Sequence, residues 1–215
     1  MSAPVAVTIS RQFGAGGAVV GRRVAQELGF RYLDQEIVGR VATKLRQEQQ
    51  LLASREERIS SLWEDFFKGF AAGAPEAAYP PSEICRYCSD RELFSLEAEV
   101  IQEVASQQNA VIVGRGGFWV LRDHPALISI FLHADRTTRA ATIRNLFNLK
   151  NDRKAFAMVD EYDRHRERFL KTMTGTAWLS ASNYHLCLDT GRIGMENAGD
   201  LIVRLVENRL KQKSS

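Results

Sequence analysis

Hydrophobic residues along the chain fall into short runs that alternate with longer stretches of helical periodicity. The short β-branched runs predict buried strands over residues 4–9, 31–33, 110–114, 127–132 and 184–188. Apolar residues at helical spacing predict helices over 18–28, 93–106, 136–149, 156–173 and 196–211. This alternation predicts an α/β fold in which helices cover both faces of a five-stranded parallel sheet.

The first 34 residues predict a complete βαβ unit. A glycine-rich segment, residues 10–17, separates the first strand from the first helix, and Gly29 ends that helix. The second strand follows at once, and Asp34 is placed to cap a further helix that begins at Gln35. We therefore expect the glycine-rich segment to join the carboxyl end of a parallel strand to a helix N-terminus.

The middle of the chain departs from this alternation. Residues 43–73 have an amphipathic helical pattern, whereas residues 74–90 contain three prolines and two cysteines and predict a loop. We predict one domain over residues 1–215 that carries a helical insertion over residues 36–92.

The glycine-rich segment reads Ser10-Arg11-Gln12-Phe13-Gly14-Ala15-Gly16-Gly17. Ligands of open parallel sheets bind beyond the carboxyl ends of the strands, which is where this segment must lie. Glycines bring backbone N–H groups close to an anion, and the positive end of the following helix dipole points at the same place. Phosphate binding is the favoured interpretation, and a tight turn without a ligand is the alternative.

This segment matches the Walker A pattern G-x-x-x-x-G-K-[ST] only in part. Gly14 to Gly16 fit the glycine core, but Gly17 stands where the pattern has lysine and Arg11 stands at its first glycine. Val19, two positions after Gly17, offers no hydroxyl for a magnesium ion.

Composition narrows the class of protein without naming a ligand. Of the 215 residues, 45% are hydrophobic and 26% are charged, and the formal net charge is +3, which is typical of a soluble globular protein. The sequence contains no basic stripe with interleaved aromatic residues of the kind that indicates nucleic-acid binding, and no apolar run that is long enough for a membrane span. Three cysteines do not suit a disulfide framework, so we expect a cytoplasmic protein.

Two further patterns are weak signals. Cys85 and Cys88 form a C-x-x-C pair, but no second pair completes a zinc site, and the histidines are scattered, so we expect no metal ligand set. The aromatic residues that follow helical spacing fit either a core or the interface of a homo-oligomer. They are Trp63, Phe66, Phe67 and Phe70.

The sequence resembles the cytidylate kinase-like family of the P-loop nucleoside-monophosphate kinases. The strongest likeness is in residues 8–17 and continues through residues 24–34. Weaker likenesses are the segment 34–40, the Gly114-Arg115-Gly116 triplet and the arginine-rich segment 163–168. Three positions depart from the kinase pattern, namely Gln35, Gly116 and His165, which replace a serine and two aspartates.

The resemblance implies a P-loop NTPase-type fold, ATP with Mg²⁺, and phosphoryl transfer to a nucleoside monophosphate, with cytidylate as the leading acceptor. It implies that residues 36–92 bind the acceptor and that residues 152–178 form a lid. The residues expected to hold the ATP phosphates are Ser10, Arg11, Phe13, Gly14, Ala15, Gly16, Gly17 and Ala18. The acceptor is expected on Asp34, Arg40 and Arg115. Arg11 is expected to substitute in part for the missing lysine, and Arg164 and Arg168 to contact the transferring group.

Two alternatives to this kinase remain open. The loss of the lysine, the hydroxyl and the aspartate fits a non-catalytic nucleotide-binding protein on the same fold. The same fold also serves kinases for other small acceptors. For Arg164 and Arg168, a solvated helix face is the alternative to a lid.

Overall fold

A computed structural model describes residues 3–34 and 90–214. Five strands form one parallel sheet: β1 (Ala6–Arg11), β2 (Arg31–Leu33), β3 (Ala110–Val113), β4 (Leu127–His133) and β5 (Leu186–Asp189). Their order across the sheet is β2-β3-β1-β4-β5, so the first strand is central. All six residues of β1 are buried: the first four are apolar or β-branched, and Ser10 and Arg11 follow them at the carboxyl end.

The described helices, besides a short 3₁₀ turn at Ala181–Asn183, are α1 (Gly17–Leu28), α2 (Asp90–Gln107), α3 (Gly117–Val120), α4 (Arg136–Leu146), α5 (Asp152–Thr174), α6 (Thr190–Ile193) and α7 (Met195–Ser214). The strands and long helices predicted from periodicity within the described ranges are confirmed. The helical segment 43–73, the Cys85 and Cys88 pair and the aromatic residues between 63 and 70 lie outside those ranges.

Alternate residues of the central strand point to opposite faces of the sheet. Val7 and Ile9 pack in one cluster with α1 and α7, whereas Ala6 packs with α2 in another. The sheet is thus covered on both faces, as predicted.

Helices α4 and α5 pack against each other and form a small core of their own. Ile143 of α4 and Val159 of α5 are fully buried there together with Phe13, which comes from the glycine-rich loop. The loop is therefore integrated into the α4–α5 pair as well as into the sheet, and this arrangement decides how the site is built.

Every helix among residues 3–34 and 90–214 is either too short or too polar to cross a membrane.

Candidate active site

The glycine loop leaves the central strand at Arg11 and enters α1 at Gly17. Gly16 caps α1 with a left-handed backbone (φ 77°), and a Cβ at this position would collide with the thioether of Met195. Position 16 therefore requires glycine both for its backbone and for space. The amides that open α1 are directed to the carboxyl edge of the sheet, where a helix N-terminus favours an anion.

The side chain of Arg11 is enclosed between the glycine loop and strand β3. It is only 7% exposed. A Cβ at Gly17 would lie 2.6 Å from Arg11 Cγ, and a Cβ at Gly114 would collide with Arg11 Nη1. The arginine stem thus passes over the first residue of α1, and its guanidinium lies at the end of β3.

Asp163 of α5 fastens the outer side of the loop. One carboxylate oxygen accepts a hydrogen bond from Phe13 N at 2.8 Å, and the other accepts from Arg139 Nη1 at 2.6 Å. Arg139, on α4, is also buried and donates to the carbonyl oxygen of Phe13 at 3.1 Å. Both backbone groups of Phe13 are therefore held by charged side chains, which form the stronger class of hydrogen bond.

Two further contacts join α5 to the loop. The Tyr162 ring stacks on the Phe13 ring with centroids 4.3 Å apart and planes 10° apart. Arg166 Nη1 donates to the carbonyl oxygen of Arg11 at 3.3 Å. Because Phe13 is buried in these contacts, its side chain supports the loop and its amide is taken by Asp163 rather than by a ligand.

The turn after β3 contains three consecutive residues with positive φ. They are Gly114 (84°), Arg115 (51°) and Gly116 (66°). Glycine adopts this conformation readily, but for arginine it costs about 1–2 kcal/mol. The turn lifts Arg115 away from the sheet, and the contacts of its side chain offset that cost.

The Arg115 guanidinium is held by Glu97 of α2. Arg115 Nε donates to Glu97 Oε2 at 2.7 Å, and the second nitrogen, Nη2, contacts the same oxygen. The Glu97 side chain is 2% exposed and that of Arg115 is 13% exposed. Burial raises the pKa of the Glu97 carboxyl, and the Arg115 charge opposes that rise. Arg115 also lies over the Phe169 ring of α5, 4.9 Å from its centroid.

Other residues expected at the site have structural partners. Ser10 is buried near Tyr184. The Tyr184 hydroxyl donates to the carbonyl oxygen of Trp178 at 2.8 Å, and burial raises the pKa of this hydroxyl. The carbonyl oxygen of Ala15 accepts a hydrogen bond from Thr190 Oγ1 at 3.1 Å. Asp34 Oδ2 lies 3.7 Å from Nη2 of Arg22, which is on α1. Arg40 lies outside the described residues.

Of the arginines in the segment 163–168, the structure brings Arg166 to the glycine loop. Arg164 is exposed and donates to the carbonyl oxygen of Asp160, one turn earlier in α5. Arg168 is also exposed. The two arginines expected to contact the transferring group thus lie on the solvent side of α5 here.

The described residues do not form a magnesium site of their own. Position 19 carries valine, whose side chain is 59% exposed and offers no oxygen. No group of three or more His, Cys, Asp or Glu side chains between residues 3 and 34 or 90 and 214 is arranged to hold a metal ion. The glycine loop, by contrast, fits nucleotide phosphates, because it combines a helix N-terminus, left-handed glycines and an enclosed arginine.

Sequence reasoning did not assign roles to three residues that build the site. Glu97 sits in an ordinary amphipathic helix, and Arg139 sits in a polar one, so neither position stands out. Asp163 was named only as the first residue of the arginine-rich segment 163–168, without a role of its own. A charged residue in an apolar stripe, as Glu97 is between Phe94 and Val100, is the signal that could have found one of them.

The sheet order, the glycine loop and the two covered faces define an α/β P-loop fold. The family model described as the cytidylate kinase-like family matches residues 6–192, and the chain belongs to this family. The chain is 26% identical over 114 residues to the cytidylate kinase of Sulfolobus acidocaldarius. That match covers 53% of this chain and 62% of the relative's length.

Two solved structures show the same fold at low sequence identity. An uncharacterized protein from Eubacterium ventriosum matches with a TM-score of 0.69 and 18% identity, over 94% of this chain and 98% of that one. A gluconokinase from Sinorhizobium meliloti matches with a TM-score of 0.51 and 14% identity, over 99% of both chains.

Proposed function

We propose that the protein is a kinase that transfers a phosphoryl group from ATP to a nucleoside monophosphate, with cytidylate as the leading acceptor. Membership of the cytidylate kinase-like family supports this proposal. The observation that carries it is the enclosed Arg11, which places a permanent positive charge beside the first turn of α1 and the end of β3.

Phosphoryl transfer needs little covalent participation from the protein, so catalysis comes from positioning and charge neutralisation. An acceptor oxygen forms a bond to the γ-phosphorus as the bond to the β–γ bridging oxygen breaks, which leaves ADP. The opening amides of α1 would bind phosphate oxygens, and Arg11 would neutralise their charge. A magnesium ion, when bound to the nucleotide, supplies further neutralisation of the phosphate charge.

Arg115 is the described candidate for the acceptor phosphate. It is a rigid donor, because Glu97 and Phe169 fix its guanidinium. Asp34 and Arg40 complete the set proposed from the resemblance, with residues 36–92 as the acceptor-binding insertion. Arg164 and Arg168 are proposed to approach the transferring group only if α5 or the acceptor brings them to it.

A kinase for a different small acceptor is the second candidate. The pairing of Arg115 with Glu97 favours it, because a buried carboxylate cancels much of the positive charge that would attract a monophosphate. An acceptor that presents a hydroxyl would tolerate this neutral pair.

The first experiment measures ADP formation from Mg-ATP by the purified protein. The acceptors are CMP, dCMP, UMP, AMP and GMP, with a reaction lacking acceptor as the control. Turnover with CMP or dCMP that Arg115→Ala reduces supports the proposal. ATP binding without turnover on any of them argues for another acceptor or for a non-catalytic nucleotide-binding protein, and the absence of both binding and turnover refutes nucleotide use.

A further inference from the structure

The side chain of Arg11 occupies the space that a side chain at position 17 would need. The Cβ of any residue at Gly17 would lie 2.6 Å from Arg11 Cγ, 2.9 Å from Cδ and 3.1 Å from Nε. Real Cβ atoms do not approach carbon atoms this closely, so the arginine stem or the new side chain would have to move. A long side chain at position 11 and one at position 17 therefore exclude each other.

Glycine at position 17 is required for space and not for its backbone. Gly17 is absent from the residues of positive φ in the described chain, whereas Gly14 and Gly16 beside it are among them. The backbone at position 17 thus accepts any ordinary residue, provided that the arginine stem is removed. Position 17 is also the position at which the Walker A pattern carries its lysine.

Gly114, at the end of β3, leaves space for the guanidinium of Arg11. Gly114 lies against the Arg11 guanidinium, and Gly114 N donates to the carbonyl oxygen of Ile9 at 3.0 Å. The guanidinium therefore lies at the carboxyl ends of two adjacent parallel strands, β1 and β3. This is the edge at which ligands of parallel sheets bind.

We propose that Arg11 and a lysine at position 17 are two alternative placements of one phosphate-binding cation. In this chain the cation comes from the end of β1, and Gly17 and Gly114 are the glycines that admit it. Arginine suits the position, because its planar fork can donate two N–H groups to phosphate oxygens and keeps its charge when it is enclosed. This inference rests on the proposed function, since it assigns the residue that binds the ATP phosphates.

The competing explanation is that Arg11 only packs. Arginine stems cover apolar surface, and a buried stem could tie α1 to β3 without touching a ligand. The two explanations differ in what they predict for ATP affinity. If Arg11 binds phosphate, loss of its charge weakens ATP binding, and a positive charge placed at position 17 instead restores it.

The test is a charge relocation, measured as ATP affinity by titration calorimetry. The variants are R11A, R11M, G17K, R11A/G17K and R11A/G17M. R11A and R11M are expected to bind ATP about 10- to 100-fold more weakly, the range for loss of a hydrogen-bonded charge. G17K retains the arginine stem, so it is expected to lower the melting temperature and ATP affinity.

The double variants decide between the explanations. R11A/G17K is expected to recover ATP affinity to within about tenfold of wild type, whereas R11A/G17M, which restores a stem without charge, is expected to stay as weak as R11A. Equal affinities of the two double variants, with circular dichroism showing both folded, would overturn the proposal. If R11A/G17K does not fold, R11M decides: wild-type ATP affinity in R11M overturns the proposal.

The outcome for wild type separates this inference from the proposed function. If wild type and R11M bind ATP equally well, only the role assigned to Arg11 is refuted. If wild type neither binds ATP nor forms ADP, both the proposed function and this inference are refuted.

Discussion

The Asp163 carboxylate accepts a hydrogen bond from the backbone N–H of Phe13 at 2.8 Å, and this bond fastens helix α5 to the glycine loop. The same carboxylate binds the buried Arg139, which in turn holds the carbonyl oxygen of Phe13. The position of the loop therefore depends on helices that are distant from it in sequence. The segment 152–178, which is expected to act as a lid, contacts the glycine loop at this point.

Replacement of Asp163 by asparagine tests this coupling. The variant D163N keeps an acceptor for Phe13 N but leaves the buried Arg139 without its counter-charge, so we expect the free energy of unfolding to fall by about 2–4 kcal/mol. Urea denaturation measures it. The control is D160N, which breaks the exposed pair with Arg136 and should leave the midpoint close to wild type. A wild-type midpoint in D163N would show that the ion pair between Asp163 and Arg139 does not contribute to stability.

Replacement of Gly16 by alanine tests whether the loop needs space as well as a left-handed backbone. Gly16 and Gly29 have similar φ values, 77° and 65°, but a Cβ at Gly29 meets nothing within 4 Å. Both G16A and G29A should lower the free energy of unfolding by about 1 kcal/mol, because alanine is strained in a left-handed backbone conformation. Only G16A adds a collision with Met195, so we expect it to be the less stable of the two and to lose ATP affinity. Equal melting temperatures and ATP affinities would contradict the steric argument.

Periodicity predicted the fold well because parallel strands are buried on both faces. The first four residues of strand β1 are apolar or β-branched, and the helices that cover the strand have clear apolar stripes, so local pattern and tertiary position agree. The four-residue helices α3 and α6 were missed, since a single turn is too short to show a period. The strand order was also not predicted, because it depends on crossovers that pattern does not encode.

The candidate site was predicted less completely than the fold. The glycine loop was identified from residue types, and Arg11, which stands at the first glycine of the Walker A pattern, was expected to substitute in part for the missing lysine. Its burial against Gly17 and Gly114 could not be read from the sequence, because Gly114 is about 100 residues away and is brought to the loop by the pairing of β1 with β3. The apolar stripe around Glu97 could have marked this residue as buried, but its pairing with Arg115 could not be predicted, because Arg115 lies in the turn after β3 and Glu97 lies on α2.

The ion pair between Glu97 and Arg115 makes a prediction for stability and for acceptor binding. E97A leaves Arg115 largely buried without a counter-charge and should lower the free energy of unfolding by about 3–5 kcal/mol. E103A, at a half-buried position on the same helix, is the control for helix content. In the milder variant E97Q, which preserves the shape of the side chain, we expect the KM for the acceptor to rise while ATP affinity stays near wild type. A rise in the KM for the acceptor accompanied by an equal loss of ATP affinity would indicate a general loss of structure rather than misplacement of Arg115.

The N-caps of α4 and α5 predict contrasting responses to pH. Asp135 caps α4 by accepting hydrogen bonds from the Thr138 hydroxyl and the Thr138 amide, and these bonds lower the pKa of its carboxyl. Because the folded pKa is lowered, the contribution of Asp135 to stability is complete above its unfolded pKa, about 3.9, and is lost as pH falls through the folded pKa.

Replacement of each cap by alanine measures this difference. D135A should lower the melting temperature at pH 7, and its difference from wild type should shrink as pH falls below about 4. Asn151 caps α5 by accepting from Arg153 N at 2.7 Å and has no charge to lose, so the effect of N151A should not change over the same range. If D135A differed from wild type equally at pH 7 and pH 3, the cap would act through shape alone and not through the ionised carboxylate.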